Sequence, residues 1–237
     1  MLGAVRHIFT HFTLSLELYA ASPPRTRDPE GTRRRILAAA TREFARHGLG
    51  GARVDRIASA ARANKRMLYY YFGDKDDLFR AVLEQAYADI RAAEQRLNLL
   101  DLPPVEGVRR LVEFTWDYYL DHPEFLPLLN SENLHRARHL KRSHDIRHTN
   151  FPLIETLAGI LRRGEAEGTF RPGVDALQLY ISIAGLAYFF LSNNHTLAQV
   201  FDRALRTPAA RAARIEHMRA MVLGFLTNRA QPARAGN

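Results

Sequence analysis

Apolar residues recur three and four positions apart along most of this 237-residue chain, and no stretch alternates apolar and polar at every second position. That spacing predicts amphipathic helices throughout and no sheet. Asp28-Pro29 offers an N-cap with proline at the first helical position, and the helix it opens reaches His47-Gly48 with Ile36, Leu37, Ala40 and Phe44 on one face. Val54, Ile57, Ala58 and Ala61 give a short helix its inward side. After a turn at Arg62-Ala63, Asn64 caps a second short helix anchored by Leu68 and Phe72. Asp74 and Asp77 precede Leu78, Val82, Leu83 and Ala86, in a helix expected to continue towards Leu99 and to break at Pro103-Pro104. Val108, Leu111, Val112, Thr115, Trp116 and Tyr119 carry the next one to Asp121-His122-Pro123. A long helical segment over 124–167 has Pro127 and Pro152 as its expected breaks. Asp175-x-x-Gln178 and Thr196-x-x-Gln199 read as capping boxes, and Thr207-Pro208 opens a last helix with Ile215, Met218, Met221, Val222 and Phe225. The fold class is therefore all-α, with nine or ten helices: a three-helix N-terminal domain carrying a helix-turn-helix, then a larger helical body.

Charge adds a partner to this picture. The chain carries a formal net charge of +9. Residues 1–75 hold 14 Lys and Arg against 6 Asp and Glu, whereas residues 76–237 hold 20 against 19. A basic block ahead of a near-neutral remainder reads as a polyanion-binding domain joined to a larger body. There is no cysteine, which excludes disulfides, thiolate metal ligands and thiol redox sensing. The run IFTHFTLSLELYAA at 8–21 resembles the apolar part of an export signal, but His11 and Glu17 interrupt it, so residues 1–27 are read as a flexible extension. Leu177 to Leu191 is apolar but shorter than the roughly 20 residues that span a bilayer, and it reads as a buried helix. No membrane is expected as a partner, and the location expected is the cytoplasm.

Two short helices joined by a tight turn inside a basic domain describe the unit whose second helix enters the DNA major groove by its N-terminal residues. Residues 29–47 followed by GGARVDRIASAARANKRMLYYYFGDKDDLF at 50–79 resemble the N-terminal domain of TetR-family transcriptional regulators. The aromatic tail Tyr69-Tyr70-Tyr71-Phe72 and the Gly/Asp-Lys-x-x-Leu run that follows carry the resemblance. It implies that Asn64, Lys65 and Arg66 begin the recognition helix, that Tyr69 and Tyr70 touch phosphate or base edges, and that Tyr71 and Phe72 are packed. It also implies that Lys75 holds a phosphate at the start of the next helix. Arg53 and Arg56 on the outer side of the first short helix would position the backbone. The family usually places glycine where Arg62 stands; Arg62 either strains the turn or adds a phosphate contact. The domains expected are 28–75 for DNA, 76–230 for effector binding and dimerisation, and a flexible tail at 231–237. The family further implies a homodimer on a pseudo-palindromic operator in double-stranded DNA, joined through helices around 175–193 and 208–227.

The body suits a small-molecule effector, with Trp116, Tyr119, Asn130, Asn133, Tyr188 and Asn193 as candidate contacts of a pocket with aromatic walls and scattered polar groups. Its layout is similar to the TetR subgroup of the pyrimidine-utilisation regulator. His135, His139, His144 and His148 form two pairs spaced four apart, but on a continuous helix the pairs face opposite sides, so no metal site is expected. His144-Asp145 matches the dipeptide of helical metal-dependent phosphohydrolases without the further ligands those enzymes need. No catalytic set and no cofactor motif is present, and the chain is read as a non-enzyme. The alternatives are a metal-dependent helical hydrolase and a ligand-binding helical protein without DNA binding.

Overall fold

A computed structural model describes residues 28–143 and 145–227, without the side chains of 145–151. The extension expected at 1–27, the tail at 231–237, His144 and the side chain of His148 lie outside the described residues. Among the described residues there are nine α-helices, two 3₁₀ turns and no strand.

Helices α1 (Pro29–Gly51), α2 (Val54–Ala60) and α3 (Lys65–Phe72) form the head, closed by the first half of α4 (Lys75–Gln95). The Asp28 carboxylate accepts the Gly31 N–H at 2.7 Å, as its place before Pro29 predicts. Gly48 leaves helical geometry at φ 64°, so the expected stop is a kink followed by one more turn. Ile36, Phe44, Ile57, Leu68, Leu78 and Phe79 are wholly buried together, with the Phe44 and Phe79 rings edge to face at 5.0 Å. Truncating one such side chain to alanine costs about 2–5 kcal/mol, a large share of a small domain's stability.

The body consists of α5 (Pro104–Asp121), α6 (Phe125–Leu134), α7 (Asp145–Ala166), α8 (Ala176–Val200) and α9 (Pro208–Thr227). Its core gathers Val108, Leu111, Trp116, Leu157, Ile160, Ile183 and Met218. Helix α4 serves both halves, giving Leu78, Phe79, Val82 and Leu83 to the head core and Ile90 to the body core. Leu128 of α6 crosses the other way, into the head core. The two cores are thus joined through α4 and α6.

Several expectations change. Helix α4 stops at Gln95 rather than near Leu99, because Asn98 turns left-handed at φ 48° and Leu99–Asp101 forms a 3₁₀ turn. Neither proline breaks the long segment: Pro127 sits in the first turn of α6, where no helical N–H is lost, and Pro152 lies inside α7. The break falls instead over 135–143, where Arg136 and Ala137 adopt φ of 55° and 57°. Thr196 caps nothing; it lies within α8 and its hydroxyl donates to the Asn193 carbonyl. Asp175 and Thr207 do cap, accepting from Gln178 at 2.8 Å and Ala210 at 3.2 Å. Helix α8 runs for 25 residues, long and apolar enough to cross a membrane, which removes the length argument against a span. Nor is it buried within the chain: Leu179, Ile183 and Ala187 face inward, while Leu177, Ile181 and Phe189 are exposed.

Candidate nucleic-acid interface

The turn between α2 and α3 is closed by backbone hydrogen bonds. Arg62 N–H reaches the Ser59 carbonyl at 3.0 Å and Ala63 N–H reaches the Ala58 carbonyl at 3.0 Å. This pair of bonds is the Schellman closure of a helix end, whose left-handed position usually belongs to glycine. Arg62 occupies it at φ 51° and its side chain is exposed. The turn is intact, so Arg62 strains the backbone without disrupting it. From α1, the Arg35 Nε donates to the Ala61 carbonyl at 3.3 Å and ties the turn to the head.

Asn64 then caps α3, its side chain accepting from the Met67 N–H at 2.8 Å. Leu68 and Phe72 are buried, as their four-residue spacing predicts, and Tyr71 is half-buried. The remaining candidates face solvent: Arg53, Arg56, Asn64, Lys65, Arg66, Tyr69 and Tyr70 are all exposed, Tyr70 by 79%. Lys75 is half-buried at the first position of α4. There Asp74 caps the helix by accepting the Asp77 N–H at 2.8 Å. Cation side chains at such an N-terminus work against the helix dipole, so Lys75 gains when an anion sits beside the free N–H groups.

Two carboxylates that sequence spacing did not single out organise this surface. Glu43 of α1 accepts the Arg53 N–H at 2.9 Å and the Arg56 Nε at 2.7 Å, which fixes the start of α2. Burial opposes its ionisation, but those hydrogen bonds hold its carboxyl below the usual range. Asp55 pairs with Lys65 at 2.7 Å, and both are open to water. That hydrogen bond raises the Lys65 pKa. An exposed pair of this kind is weak and gives way readily to a phosphate or base edge. The pairings join residues 10 to 13 positions apart across a bend, so helical periodicity could not reveal them.

The effector candidates are scattered by comparison. Trp116 and Tyr119 are buried in the body core, Trp116 beside the Phe190 ring and Tyr119 stacked on Phe125. Tyr188 donates to Asn130 at 2.5 Å, so these two do meet. Asn133 is exposed at the end of α6, and Asn193 donates to the Phe189 carbonyl of its own helix. None of the six lines a described cavity. One cavity of about 300 Å³ lies instead between α4, the 99–101 turn and α7, with Arg91, Glu94, Asn98, Leu99, Pro152 and Thr156 on its walls. Arg91 Nη1 lies 2.7 Å from Glu94 Oε2, a charge contact without hydrogen-bond alignment, and its Nη2 donates to the Tyr180 hydroxyl at 2.8 Å. Among the described residues, no three His, Asp or Glu side chains converge as a metal site.

A capped recognition helix, a closed turn and a large helical body together define a helix-turn-helix transcriptional regulator. The chain matches the family model of the TetR-family bacterial regulatory proteins at residues 36–82 and that of the tetracyclin repressor-like C-terminal domain at 104–222. It belongs to the TetR family, a family of DNA-binding regulators and not of enzymes. It is 40% identical to the HTH-type transcriptional repressor NicS of Pseudomonas putida over 188 residues, 79% of this chain and 89% of that one. The HTH-type transcriptional repressor SCO4008 of Streptomyces coelicolor is 47% identical over 109 residues, 46% of this chain and 53% of that one. The regulator RutR of Escherichia coli is 31% identical over 110 residues, 46% and 51% of the two chains. Among solved structures, the transcriptional regulator SCO4942 of Streptomyces coelicolor superposes with a TM-score of 0.60 at 28% identity, covering 80% of this chain and 97% of that one.

Proposed function

We propose that the chain is a homodimeric cytoplasmic repressor whose head, residues 28–75, reads a pseudo-palindromic operator, and whose body, 76–230, dimerises and binds a small effector. The observation that carries this reading is the closed α2–α3 turn with its polar side chains left in solvent. Lys65 and Arg66, in the first turn of α3, reach base edges, where an arginine pairs with a guanine in two bonds. Asn64, Tyr69 and Tyr70 flank them. Arg53, Arg56, Arg62 and Lys75 hold phosphates and set register without reading sequence. The names of the relatives NicS and SCO4008, both repressors, support the sign of regulation.

The exposed apolar side chains of α8 and α9 (Leu177, Ile181, Phe189, Met221 and Phe225) support dimerisation through those helices. For the effector, the cavity between α4, the 99–101 turn and α7 supports a site inside the body; of the six candidates only Asn130 and Tyr188 meet, and none lines that cavity. Release requires that the effector bind the DNA-incompetent arrangement more tightly than the competent one. Mobility shifts on the DNA immediately upstream of its own gene, run across a salt series, test the reading. A discrete shift that survives competitor DNA is expected; equal binding to every fragment at all salt concentrations defeats it.

A further inference from the structure

Away from the reading surface, a buried titratable cluster joins head to body. Past the end of α6 the chain folds back through Arg136 and Ala137, both in the left-handed region that L side chains rarely adopt. Glu132, 2% exposed, holds this fold-back in place: its Oε1 accepts the His139 N–H at 2.8 Å and the Leu140 N–H at 3.0 Å. Its Oε2 faces His139 Nδ1 at 2.5 Å. The imidazole, 2% exposed, stands edge-on to Phe79 and presents Nε2 to Asp76 Oδ1 of α4 at 3.1 Å. Asp76 directly follows Lys75.

Each ring nitrogen therefore faces a carboxylate oxygen. A neutral imidazole has one N–H and can donate to only one of them, whereas an imidazolium donates to both. Arg138 supplies the other state: its Nε–H is directed at the same Nε2 at 3.3 Å, a bond that only the neutral ring accepts. Its Nη2 meanwhile holds Asp76 Oδ1 at 2.7 Å. The hydrogen bond from His139, together with the Arg138 guanidinium and against the effect of burial, keeps the Asp76 carboxyl below its ordinary range, so Asp76 remains an anion. The other ionisable groups nearby are Asp77 of α4, which faces Arg142 at 3.7 Å, and His135, whose Nδ1 is engaged by the Ser131 carbonyl at 2.7 Å.

We propose that His139 is a positioning residue for DNA reading: its imidazolium clasps Glu132 of the body to Asp76 of α4 and fixes the angle of the head, and loss of its proton opens the clasp. This rests on the DNA-reading function proposed above. When the proton leaves, Nδ1–H stays with Glu132, Nε2 becomes an acceptor for Arg138, and only Arg138 still grips Asp76. Operator affinity then falls as pH rises, and the fold of each half persists because both cores are untouched.

The test uses the full chain with labelled DNA from immediately upstream of its own gene, at fixed ionic strength, from about pH 5.5 to 8.5. Wild-type affinity is expected to fall by about tenfold across that range. His139→Gln, whose uncharged amide donates from one end only, and Asp76→Asn should both give flat profiles near the weak limit, and the double variant should be no weaker than either single one. Comparing variants removes any contribution of His47, which lies 3.7 Å from Glu43 on α1. Parallel profiles for wild type and His139→Gln, or additive losses in the double variant, overturn the proposal. If the wild type binds no DNA specifically at any pH, the function proposed above fails instead. The clasp is then judged by melting temperatures, where non-additive effects of His139→Gln and Asp76→Asn support it and additive ones overturn it.

Discussion

Helices α3 and α8 follow opposite rules. In α3, eight residues bury Leu68 and Phe72 and leave lysine, arginine and tyrosine in water. In α8, 25 residues bury one face and leave Leu177, Ile181 and Phe189 exposed on the others. The surface of α3 is finished in the way a solvated surface is finished, so its partner must be polar and transient. The surface of α8 is finished only when something apolar covers it. On the function proposed above, the first helix reads DNA and the second meets another copy of the chain.

The largest expected effect tests that second statement. Ile181→Asp places a carboxylate on the uncovered face of α8, at a residue 52% exposed within one chain. The single chain should therefore fold as before. Light scattering should report a monomer, and operator affinity should fall by on the order of a hundredfold or more, because two linked heads bind far better than one. A variant that stays dimeric with operator affinity intact would remove α8 from the interface.

Charges show the same contrast. The reading surface keeps Arg53, Arg56, Lys65 and Arg66 in water, whereas the body buries Arg91 and Glu94 at 4% and 5% exposure. Burial pushes the Glu94 carboxyl up to about 7 from 4.5, with Arg91 pulling the other way. A raised folded pKa means stability that is fully present below the unfolded value and lost as pH rises through the folded one. Between pH 4.5 and about 7 the protein should lose roughly 2–3 kcal/mol from this group. Glu94→Gln should flatten the melting temperature across that window. An unchanged slope would show that Glu94 stays ionised throughout.

Smaller effects separate the two kinds of contact on the head. Arg66→Ala should cost about 1–3 kcal/mol and relax preference at one base pair. Lys75→Ala should weaken binding to every sequence alike and lower the salt slope by about one. Binding measured against a panel of single-base operator variants at several salt concentrations distinguishes them; an Arg66 variant with unaltered preference would make that residue a phosphate contact.

The head was legible because its residues act locally. Asp28, Asn64 and Asp74 cap the helices they precede, and Ile57, Ala58, Leu68 and Phe72 fall inward at helical spacing. What escaped was non-local or conformational. Glu43 holds Arg56 across 13 residues, and His139 meets Asp76 across 63. The break at Arg136 and Ala137 carries no glycine or proline to announce it, and Pro152 is tolerated inside α7. The aromatic and amide residues named for the effector share a composition but not a place, because composition says nothing about which helix faces which. Helix α8 misled only in its length, which is set by residues beyond its apolar run.

The smallest expected effect concerns the one turn where α3 depends on a backbone its sequence does not favour. Arg62 holds a left-handed φ of 51° that completes the closure of α2. A non-glycine residue there costs about 1–2 kcal/mol. Arg62→Gly keeps both closing hydrogen bonds and removes the side-chain penalty, but it also loosens the unfolded chain, so the net stabilisation should be below about 1 kcal/mol. If Arg62 also touches a phosphate, the same variant melts slightly higher while binding DNA less tightly and with a shallower salt slope. A variant that melts higher and binds equally well would make Arg62 a purely conformational feature. A variant that gains DNA binding would show that the strained turn holds α3 short of its reading position.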